Sequence, residues 1–354
     1  PTALVFVSQI FFLYKSALKR LVPVDSAPSF LTRYPLLQWL VFRLRSRSVL
    51  GQFLNFQGRI MAILITGASG FLGANLAHNL SPTCSIIGTY RSKRPTIPGI
   101  KWGSMDLTCR DSVRQVIVNC NPTAVVHCAA QANTERAQSH PDEAIRINRD
   151  GTRNLVESLP NECYLIHVST EHVYDASKSW FLETDTPGPV NEYGRTKLLA
   201  EQEVRHFEGD WIILRMALLY GGRKEYRLCF CDCIYSQMKQ GIHARLFMDE
   251  FRTPLHVSDV AIAVQAAIER HPTREIFNLG GPDRLSRAEF GWILAEETGL
   301  DPNLIEPISI DSSPTIAPRP RDLSLNSGKI RSCLGIRPLS VREGIRRAYS
   351  CSPT

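Results

Sequence analysis

The sequence lacks an excess of charge outside its first sixty residues. Residues 1–60 hold eight Lys or Arg and a single acid, Asp25. Removing these from the totals of 41 basic and 34 acidic residues leaves 33 of each in residues 61–354. A protein that binds nucleic acid carries clustered basic charge on the domain that does the binding. The net charge of +7 therefore gives no support for a nucleic-acid partner.

The first sixty residues also lack methionine, and the earliest of the five methionines is Met61. Three interpretations of this leader compete: upstream sequence translated from a misplaced start, a transit peptide poor in acids, or an amphipathic extension. Its longest uncharged stretch, Pro1–Tyr14, is shorter than the roughly 20 apolar residues of a transmembrane helix. We expect a leader that is not part of the fold and does not span a membrane.

The ten cysteines lack the paired spacing of a zinc site. Only Cys229-Phe-Cys-Asp-Cys233 forms a cluster, and no second pair accompanies it, so we expect no metal there. No signal peptide follows Met61, which favours free thiols in the cytoplasm. Four histidines show no ligand spacing and are interpreted as packing or surface residues: His127, His167, His172 and His256.

One segment carries a strong functional signal. Residues 61–66 are apolar, Thr66-Gly-Ala-Ser-Gly-Phe-Leu-Gly73 follows, and residues 71–80 are amphipathic. A strand that meets a glycine turn and continues as a helix leaves backbone N–H groups free to bind a pyrophosphate. In this pattern Gly67 allows the turn and Gly73 lets helix and strand pack closely. The segment predicts a dinucleotide site.

Apolar strand-like runs alternate with helical patterns after Met61, which predicts an α/β fold with a doubly wound parallel sheet of Rossmann type and a smaller C-terminal substrate-binding domain. We expect a cofactor-binding domain over 61–221 and a substrate-binding region over 222–354, with segments near 258–279 returning to the first domain. The predicted strands are 61–66, 85–90, 123–127, 163–168, 211–215 and 275–279. The predicted helices are 71–80, 110–119, 141–158, 194–207, 226–240, 258–269, 286–298 and 340–349.

The end of the second predicted strand indicates which dinucleotide binds. A carboxylate there accepts a hydrogen bond from the ribose 2′-hydroxyl of NAD, whereas a cation pairs with the 2′-phosphate of NADP. This strand ends without a carboxylate and is followed by Arg91, Lys93 and Arg94. We therefore predict NADPH, with Arg91 on the phosphate. The alternative is a solvated basic loop, which would leave NADH open.

Reduction of a carbonyl also needs a proton donor, and a tyrosine with a lysine one helical turn later is a known solution. Ser169 and Thr170, at the end of the fourth predicted strand, offer hydroxyl donors, and Tyr193 then opens a long helix that carries Lys197. We predict this pair, and we expect its ammonium to lower the pKa of the phenol. The spacing alone does not decide, because it occurs four times, at Tyr174/Lys178, Tyr193/Lys197, Tyr220/Lys224 and Tyr235/Lys239.

Taken together, these residues make the chain resemble the extended short-chain dehydrogenases/reductases, and within them the dTDP-4-dehydrorhamnose reductase family, from Met61 to about Tyr349. The motifs that carry the resemblance are Thr66–Gly73, Met105-Asp-Leu-Thr108, Val126-His-Cys-Ala-Ala130, Asn148, Val168-Ser-Thr-Glu-His-Val-Tyr-Asp175, Tyr193-Gly-Arg-Thr-Lys197 with Glu201, Arg215, Tyr220-Gly221, Thr253-Pro254, His256-Val-Ser-Asp-Val-Ala261, Arg319-Pro-Arg321 and Leu325-Asn-Ser-Gly-Lys329.

The resemblance implies roles for individual positions. Tyr193 would protonate the substrate oxygen, Lys197 would bind the nicotinamide ribose, and Thr170 would hydrogen-bond the carbonyl. The other residues implied to bind the cofactor are Gly67, Ser69, Gly70, Phe71, Leu72 and Gly73 at the pyrophosphate, Asp106 and Leu107 at the adenine, and Ala129 and Ala130 on the path to the nicotinamide.

The chain departs from the family pattern where the substrate would lie. Glu171 replaces the usual aspartate, Thr134-Glu135 replaces a Val-Asp pair, and Leu218 replaces a tryptophan. We expect an NADPH-dependent reductase of a 4-keto nucleotide sugar, related to dTDP-rhamnose biosynthesis, with Glu171 and Leu218 facing the substrate. The alternatives are a sugar-nucleotide epimerase or dehydratase, and a non-catalytic NADP-binding regulatory subunit like the methionine adenosyltransferase β subunit. A homodimer and a bridging Mg²⁺ ion are left open.

Overall fold

The computed structural model describes residues 62–222, 226–312 and 315–349. The expectations for the leader, for Met61 and for Lys224 fall outside these residues. Thirteen strands occur in the described part of the chain: β1 Ala62–Thr66, β2 Ser85–Tyr90, β3 Lys101–Ser104, β4 Ala124–His127, β5 Tyr164–Thr170, β6 Trp211–Met216, β7 Leu219–Tyr220, β8 Ala244–Phe247, β9 Phe251–Arg252, β10 Leu255–His256, β11 Glu275–Leu279, β12 Leu285–Ser286 and β13 Ile305–Ile308.

The same residues form α-helices α1 Phe71–Leu80, α2 Arg110–Cys120, α3 Thr134–Ser139, α4 Pro141–Ile145, α5 Gly151–Ser158, α6 Glu192–Arg205, α7 Phe230–Lys239, α8 Val257–Arg270, α9 Arg287–Thr298, α10 Gly328–Leu334 and α11 Val341–Tyr349. A π-helical turn, Arg146–Asp150, joins α4 to α5. Within the described ranges, no helix combines the length and the hydrophobicity needed to cross a bilayer.

Seven strands form one sheet in the order β11-β6-β5-β4-β1-β2-β3, and every neighbouring pair is parallel. The strand order reverses between β1 and β4, so the two crossovers leave in opposite directions at that point. A crevice opens at such a switch point, beyond the carboxyl ends of the strands. The prediction of a doubly wound parallel sheet is confirmed.

Both faces of this sheet are covered by helices, which is why its strands are apolar almost without interruption. On one face Leu76 of α1 and Val260 of α8 pack into a buried cluster with alternate residues of β1 and β6. On the other face Val113 of α2 and Val204 of α6 belong to a second cluster. The sheet is therefore the rigid base from which the strand ends project their side chains.

A third apolar cluster lies outside the sheet and joins α7, α9 and α11 through residues such as Ile234, Phe290 and Ile345. Three two-stranded sheets accompany these helices: β7 with β10, β8 with β13, and β9 with β12. Helix α8 and strand β11, which lie between these elements in sequence, belong to the main sheet and its helices. Strand β11 pairs with β6, and α8 packs against α1.

The structure contains elements that were not predicted, namely strand β3, the short strands β7, β8, β9, β10, β12 and β13, and helices α3 and α10, and it also differs within predicted helices. Strand β3 was missed because its residues are exposed or half-buried, so it lacks the apolar run that marks the other strands of the sheet. The single helix predicted over 141–158 contains the π-helical turn Arg146–Asp150. Helix α7 begins at Phe230 rather than 226, because Cys229 caps its first turn.

The glycine turn after β1 is sterically closed to other residues at two positions. Gly67 has φ +65°, and a Cβ there would lie 2.7 Å from the Cα of Ala129 on β4's loop. A Cβ on Gly73 would lie 2.4 Å from the carbonyl oxygen of Gly67. The absence of a side chain at both glycines lets α1 pack closely against the turn. Helix α1 begins with no side-chain cap and no acid in its first turn. Its first N–H groups are consequently available to an anion.

We expect Gly73→Ala to lower the free energy of unfolding by about 1–3 kcal/mol, because the added methyl group overlaps a backbone oxygen that cannot move freely. Urea unfolding measures the effect. Gly103→Ala in β3 is the matched control, since its nearest neighbour would be 3.7 Å away. Equal unfolding midpoints for the two variants would contradict the assignment of Gly73 to close helix–strand packing.

Candidate active site

Two cavities lie at the carboxyl edge of the sheet, on either side of the glycine turn. Their volumes are about 420 Å³ and about 490 Å³. Both are lined by Gly67, Gly70, Cys128, Ala130 and Arg227. The two cavities therefore meet at the start of α1, which is the position that the sequence predicts for a pyrophosphate.

The first cavity is lined by Arg91, Asp106 and Leu107, which were expected around the adenosine. It is also lined by Ser69, expected at the pyrophosphate, and by Ala129, expected on the path to the nicotinamide. The carboxylate of Asp106 accepts hydrogen bonds from the N–H and the hydroxyl of Thr108, and these bonds lower its pKa. Of the three cations after β2, Arg91 is the one that lines this cavity, whereas Arg94 lines a separate groove beside Trp102.

The second cavity contains the predicted catalytic pair. Tyr193 and Lys197 line it together with Thr170, and Phe71, Leu72 and Gly73 form its wall at the start of α1. The other three candidate tyrosines line neither cavity. Tyr174 donates to Asn278 in the core, Tyr220 is fully buried beside Ser340, and Tyr235 packs on Tyr349.

Helix α6 holds Tyr193 in place from its first turn. The side chain of Asn191 caps the helix by accepting the N–H of Gly194 at 3.0 Å. Burial raises the pKa of Tyr193 to about 12, although a hydrogen bond with Thr170 lowers it. The expectation that Lys197 would draw this pKa toward neutrality is therefore wrong for the protein alone. Desolvation outweighs the neighbouring polar groups.

The ammonium group of Lys197 is buried and makes two hydrogen bonds. Its Nζ donates to the carbonyl oxygen of Val168 at 2.7 Å and lies 3.2 Å from Nε2 of His167. Burial lowers the pKa of Lys197 to about 8, opposed by the charge of Glu201. An ammonium has three N–H donors, so one remains for a ligand in the second cavity.

His167 is a buried packing residue, one of the two interpretations that the sequence allowed, and it also contacts Lys197. Burial first, and then the charge of Lys197, hold its pKa well below the usual value, so the ring is neutral. Since the ammonium donates to Nε2, the ring proton resides on Nδ1. The sequence carried no signal for this contact, because β5 brings His167 under α6 only in the folded chain.

The π-helical turn positions Asn148 against the loop that follows β4. Its Oδ1 accepts the N–H of Gln131 at 2.7 Å, and its Nδ2 donates to the hydroxyl of Thr196 at 2.9 Å. Its carbonyl accepts from Thr152, whose oxygen lies 3.0 Å from Nε2 of His127. π-Helical turns recur at functional sites. Here the turn connects the loop after β4 to α6, the helix that carries Tyr193 and Lys197.

Ser169 and Thr170, the two hydroxyl residues expected at the end of β5, both line the second cavity, but the hydroxyl proton of Ser169 is already engaged. The hydroxyl of Ser169 donates to Glu201 at 2.5 Å. Glu201 in turn forms a fully buried ion pair with Arg215 at 2.7 Å. Ser169 is thereby engaged in the packing of α6 on the sheet, and Thr170 remains beside Tyr193.

Glu171 and Leu218 both line the second cavity, as expected for residues that face a substrate. Glu171 is also buried in an ion pair with Arg252, which lies 3.0 Å away and which pairs with Glu250 at 2.9 Å. Burial raises the pKa of Glu171 to about 7, although Arg252 lowers it. Its carboxyl group therefore titrates near neutral pH.

Three arginines that sequence reasoning missed line the second cavity: Arg227, Arg287 and Arg319. Arg287 and Arg319 lie 3.3 Å and 3.6 Å from the carboxylate of Glu250. With Lys197, the cavity has four cationic side chains against Glu171 and Glu250. This excess favours an anionic ligand. Arg319 lies in a motif of the resemblance, but nothing in the sequence separates Arg227 or Arg287 from surface arginines.

The sheet, the glycine turn and the placement of Tyr193 and Lys197 define an extended short-chain dehydrogenase/reductase. Within that class, the family model described as RmlD substrate binding domain matches residues 61–352, and the chain belongs to this family. The confirmed resemblance covers nearly all of the described residues.

The chain is also similar to individual proteins in sequence and in structure. A probable low-salt glycan biosynthesis reductase from Haloferax volcanii is 28% identical over 280 residues, which cover 78% of this chain and 93% of the relative. The methionine adenosyltransferase 2 subunit beta of Bos taurus is 29% identical over 283 residues, which cover 77% of this chain and 82% of that relative. The structure of dTDP-4-dehydrorhamnose reductase from Bacillus anthracis in complex with NADP has a TM-score of 0.74 at 24% identity, covering 83% of this chain and 100% of that one.

Titration of Glu171 predicts a pH-dependent stability. Its carboxyl group has a pKa of about 7 in the folded protein, whereas the ordinary pKa of a glutamate is 4.5. Between these values the folded protein keeps a proton that the unfolded chain releases. The contribution of Glu171 to the free energy of unfolding is therefore fully present below pH 4.5. It is lost as the pH rises to 7, by at most about 1.4 kcal/mol per pH unit.

We expect Glu171→Gln to remove this dependence, so that its free energy of unfolding falls less than that of the wild type between pH 5 and pH 8. Urea unfolding across this range measures it. Glu306→Gln, whose side chain is 50% exposed, is the control and should follow the wild type. Parallel curves for all three proteins would show that Glu171 ionises normally.

Proposed function

We propose that the protein is an NADPH-dependent reductase of a 4-keto nucleotide sugar. The observation that carries the proposal is that Tyr193 and Lys197 line the same cavity as the start of α1. A proton donor and a cation thus lie beside a helix start suited to a dinucleotide pyrophosphate. Membership of a reductase family supports the same conclusion.

The residues present fit a dinucleotide. The two cavities join at Gly67 and Gly70, so an extended ligand can lie across the glycine turn with its anionic centre at the start of α1. A Cβ at Gly67 would fill the space against Ala129. Arg91 in the first cavity suits the 2′-phosphate of NADP. The amides of Gly67–Gly73, with Asp106, Leu107, Ala129 and Ala130, would hold the rest of the cofactor.

When bound, NADPH supplies the hydride that reduces the ketone. Tyr193 donates its phenolic proton to the ketone oxygen, and Thr170 holds that oxygen by a hydrogen bond. A phenol with a pKa of about 12 is protonated at neutral pH and is still a stronger acid than an alcohol, whose pKa is near the 15.7 of water. Lys197 holds the nicotinamide ribose through its remaining N–H.

The charge of the second cavity supports a nucleotide sugar as the substrate. Arg227, Arg287 and Arg319 supply cationic groups for its diphosphate. Leu218 and Glu171 would contact the sugar. With Leu218 in place of a large aromatic side chain, about 1 kcal/mol of stacking energy is lost, which favours a sugar other than dTDP-4-dehydrorhamnose.

A second candidate is a regulatory subunit that binds NADP without turning it over. The similarity to methionine adenosyltransferase 2 subunit beta, at 29% identity, favours it. A regulatory subunit needs the cavity to bind the cofactor, but it does not need Tyr193 as a proton donor. Turnover therefore distinguishes the two candidates, whereas NADPH binding does not.

The proposal predicts that the full chain oxidises NADPH when given a suitable member of a panel of dTDP- and other nucleotide-linked 4-keto sugars. Loss of nicotinamide absorbance measures this. Tyr193→Phe should lower kcat by about 10²–10⁴, because the proton donor is removed, with little change in NADPH affinity. Tyr235→Phe, outside both cavities, should retain full activity. NADPH binding with no oxidation on any sugar would overturn the reductase and support the regulatory subunit, and an isomerised product without net oxidation would indicate an epimerase.

Cofactor choice has its own test. Arg91→Asp should shift the ratio of NADPH to NADH dissociation constants toward NADH by at least about tenfold, because a cation on the 2′-phosphate is replaced by an acceptor for a 2′-hydroxyl. Titration of nicotinamide fluorescence measures both constants without a substrate. Arg94→Asp is the matched control, since Arg94 lies in another groove. A ratio that stays constant in Arg91→Asp would contradict the NADPH assignment.

A further inference from the structure

Two thiols, a carboxylate and a phenol converge at the start of α7. We call Cys229, Cys231, Asp232 and Tyr349 the thiol cluster. The Sγ atom of Cys229 lies 3.1 Å from Sγ of Cys231 and 3.0 Å from Oδ2 of Asp232. The hydroxyl of Tyr349, at the end of α11, donates to Oδ1 of Asp232 at 2.9 Å and lies 3.5 Å from Sγ of Cys231. None of these residues lines the two cavities.

The cluster is buried, with exposed fractions of 9% for Cys229, 0% for Cys231 and 7% for Asp232. One sulfur or oxygen atom from each of the three lies within 4.8 Å of the others. Groups that ionise to anions are costly to bury together unless a cation neutralises them. Sulfur and carboxylate oxygen are both ligands that a divalent cation such as zinc accepts.

Local sequence explains why these groups converge. Cys229 is the N-cap of α7 and Asp232 its third residue, and Asp232 Oδ2 accepts the N–H of Cys229 at 2.9 Å. This reciprocal cap fixes the carboxylate beside the first thiol.

We propose that the thiol cluster binds a zinc ion through the sulfurs of Cys229 and Cys231 and the carboxylate of Asp232, with the fourth position beside the hydroxyl of Tyr349. Both thiols release their protons to solvent as the metal binds. Two thiolates and a carboxylate on Zn²⁺ leave one negative charge, which the start of α7 offsets.

The geometry requires only a small adjustment. Tetrahedral ligation with Zn–S bonds of about 2.3 Å separates two sulfurs by about 3.8 Å. The sulfurs of Cys229 and Cys231 are 3.1 Å apart, so a shift of less than about 1 Å suffices. The spacing rule predicted no metal because it looks for two cysteine pairs. Here the third ligand is the carboxylate of Asp232, and the fourth position lies beside the hydroxyl of Tyr349, which is distant in sequence.

Such an ion would fix the chain next to the cavities. Cys229 Sγ also lies 3.8 Å from the carbonyl oxygen of Gly221, directly after β7, so the ion would join α7 and α11 near this segment. Arg227, two residues before Cys229, lines both cavities. By binding Cys229, the metal would fix the backbone close to Arg227. The site does not depend on the proposed function.

Cobalt titration tests the proposal directly. The full chain, reduced and freed of metal with a chelator, is titrated with Co²⁺ and then with Zn²⁺. We expect one Co²⁺ per chain with thiolate-to-cobalt charge-transfer absorption, displaced by one equivalent of Zn²⁺, and a higher Tm with zinc than without it. Cys229→Ser and Cys231→Ser should each weaken binding at least about tenfold and reduce the absorption.

Cys233→Ser is the matched control, because Cys233 lies on the same helix but is exposed. It should bind cobalt as the wild type does. Three results would overturn the proposal: no stoichiometric cobalt absorption in the wild type, binding that survives in both Cys229→Ser and Cys231→Ser, or a Cys229–Cys231 disulfide in protein that retains no metal. The wild-type titration stands even if a variant fails to fold.

Discussion

Burial of the Lys197 ammonium constrains the carboxyl end of the sheet, where both cavities lie. A charged amine removed from water costs several kcal/mol unless nearby acceptors replace its hydration. The structure supplies the carbonyl of Val168 and Nε2 of His167. Both acceptors come from β5, so α6 must cross this strand at one position and orientation. Because Tyr193 is one turn earlier on α6, the placement of its phenol follows from the same two hydrogen bonds.

The exclusion of water from this arrangement also determines how strongly Tyr193 and Lys197 hold their protons. Burial raises the pKa of Tyr193 to about 12 and lowers that of Lys197 to about 8, because burial disfavours the charged form of each group. The phenol thus holds its proton until a stronger base, such as a nascent alkoxide, forms beside it. Glu171 lines the same cavity and forms a buried ion pair with Arg252, and its carboxyl group titrates near neutral pH. The cavity is therefore lined by groups whose charges depend on desolvation.

The sequence predicted the parts of the fold that rest on local patterns. The apolar runs gave β1, β2, β4, β5, β6 and β11 nearly to the residue, and the turn at Gly67 and Gly73 followed from spacing. Strand β3 lacks an apolar run, and no local pattern could reveal it. The residues of the site also fall into those that a local pattern predicted and those that only the folded chain brings together. The place of Tyr193 on a helix was visible in the sequence, but Arg287 reaches the cavity, and His167 contacts Lys197, only through tertiary packing. The expected pKa of Tyr193 was wrong because spacing does not report burial.

The central claim is that Tyr193 and Lys197 act on a nicotinamide held in the second cavity. A crystal structure of the full chain with NADP⁺ tests it most directly. The account predicts the pyrophosphate on the first N–H groups of α1, a ribose hydroxyl on Lys197 Nζ, and the nicotinamide C4 facing the space beside the Tyr193 hydroxyl, at a distance that leaves a ketone carbon within about 3.5 Å of C4. A nicotinamide ring directed away from Tyr193, or a cofactor bound outside the two cavities, would contradict it.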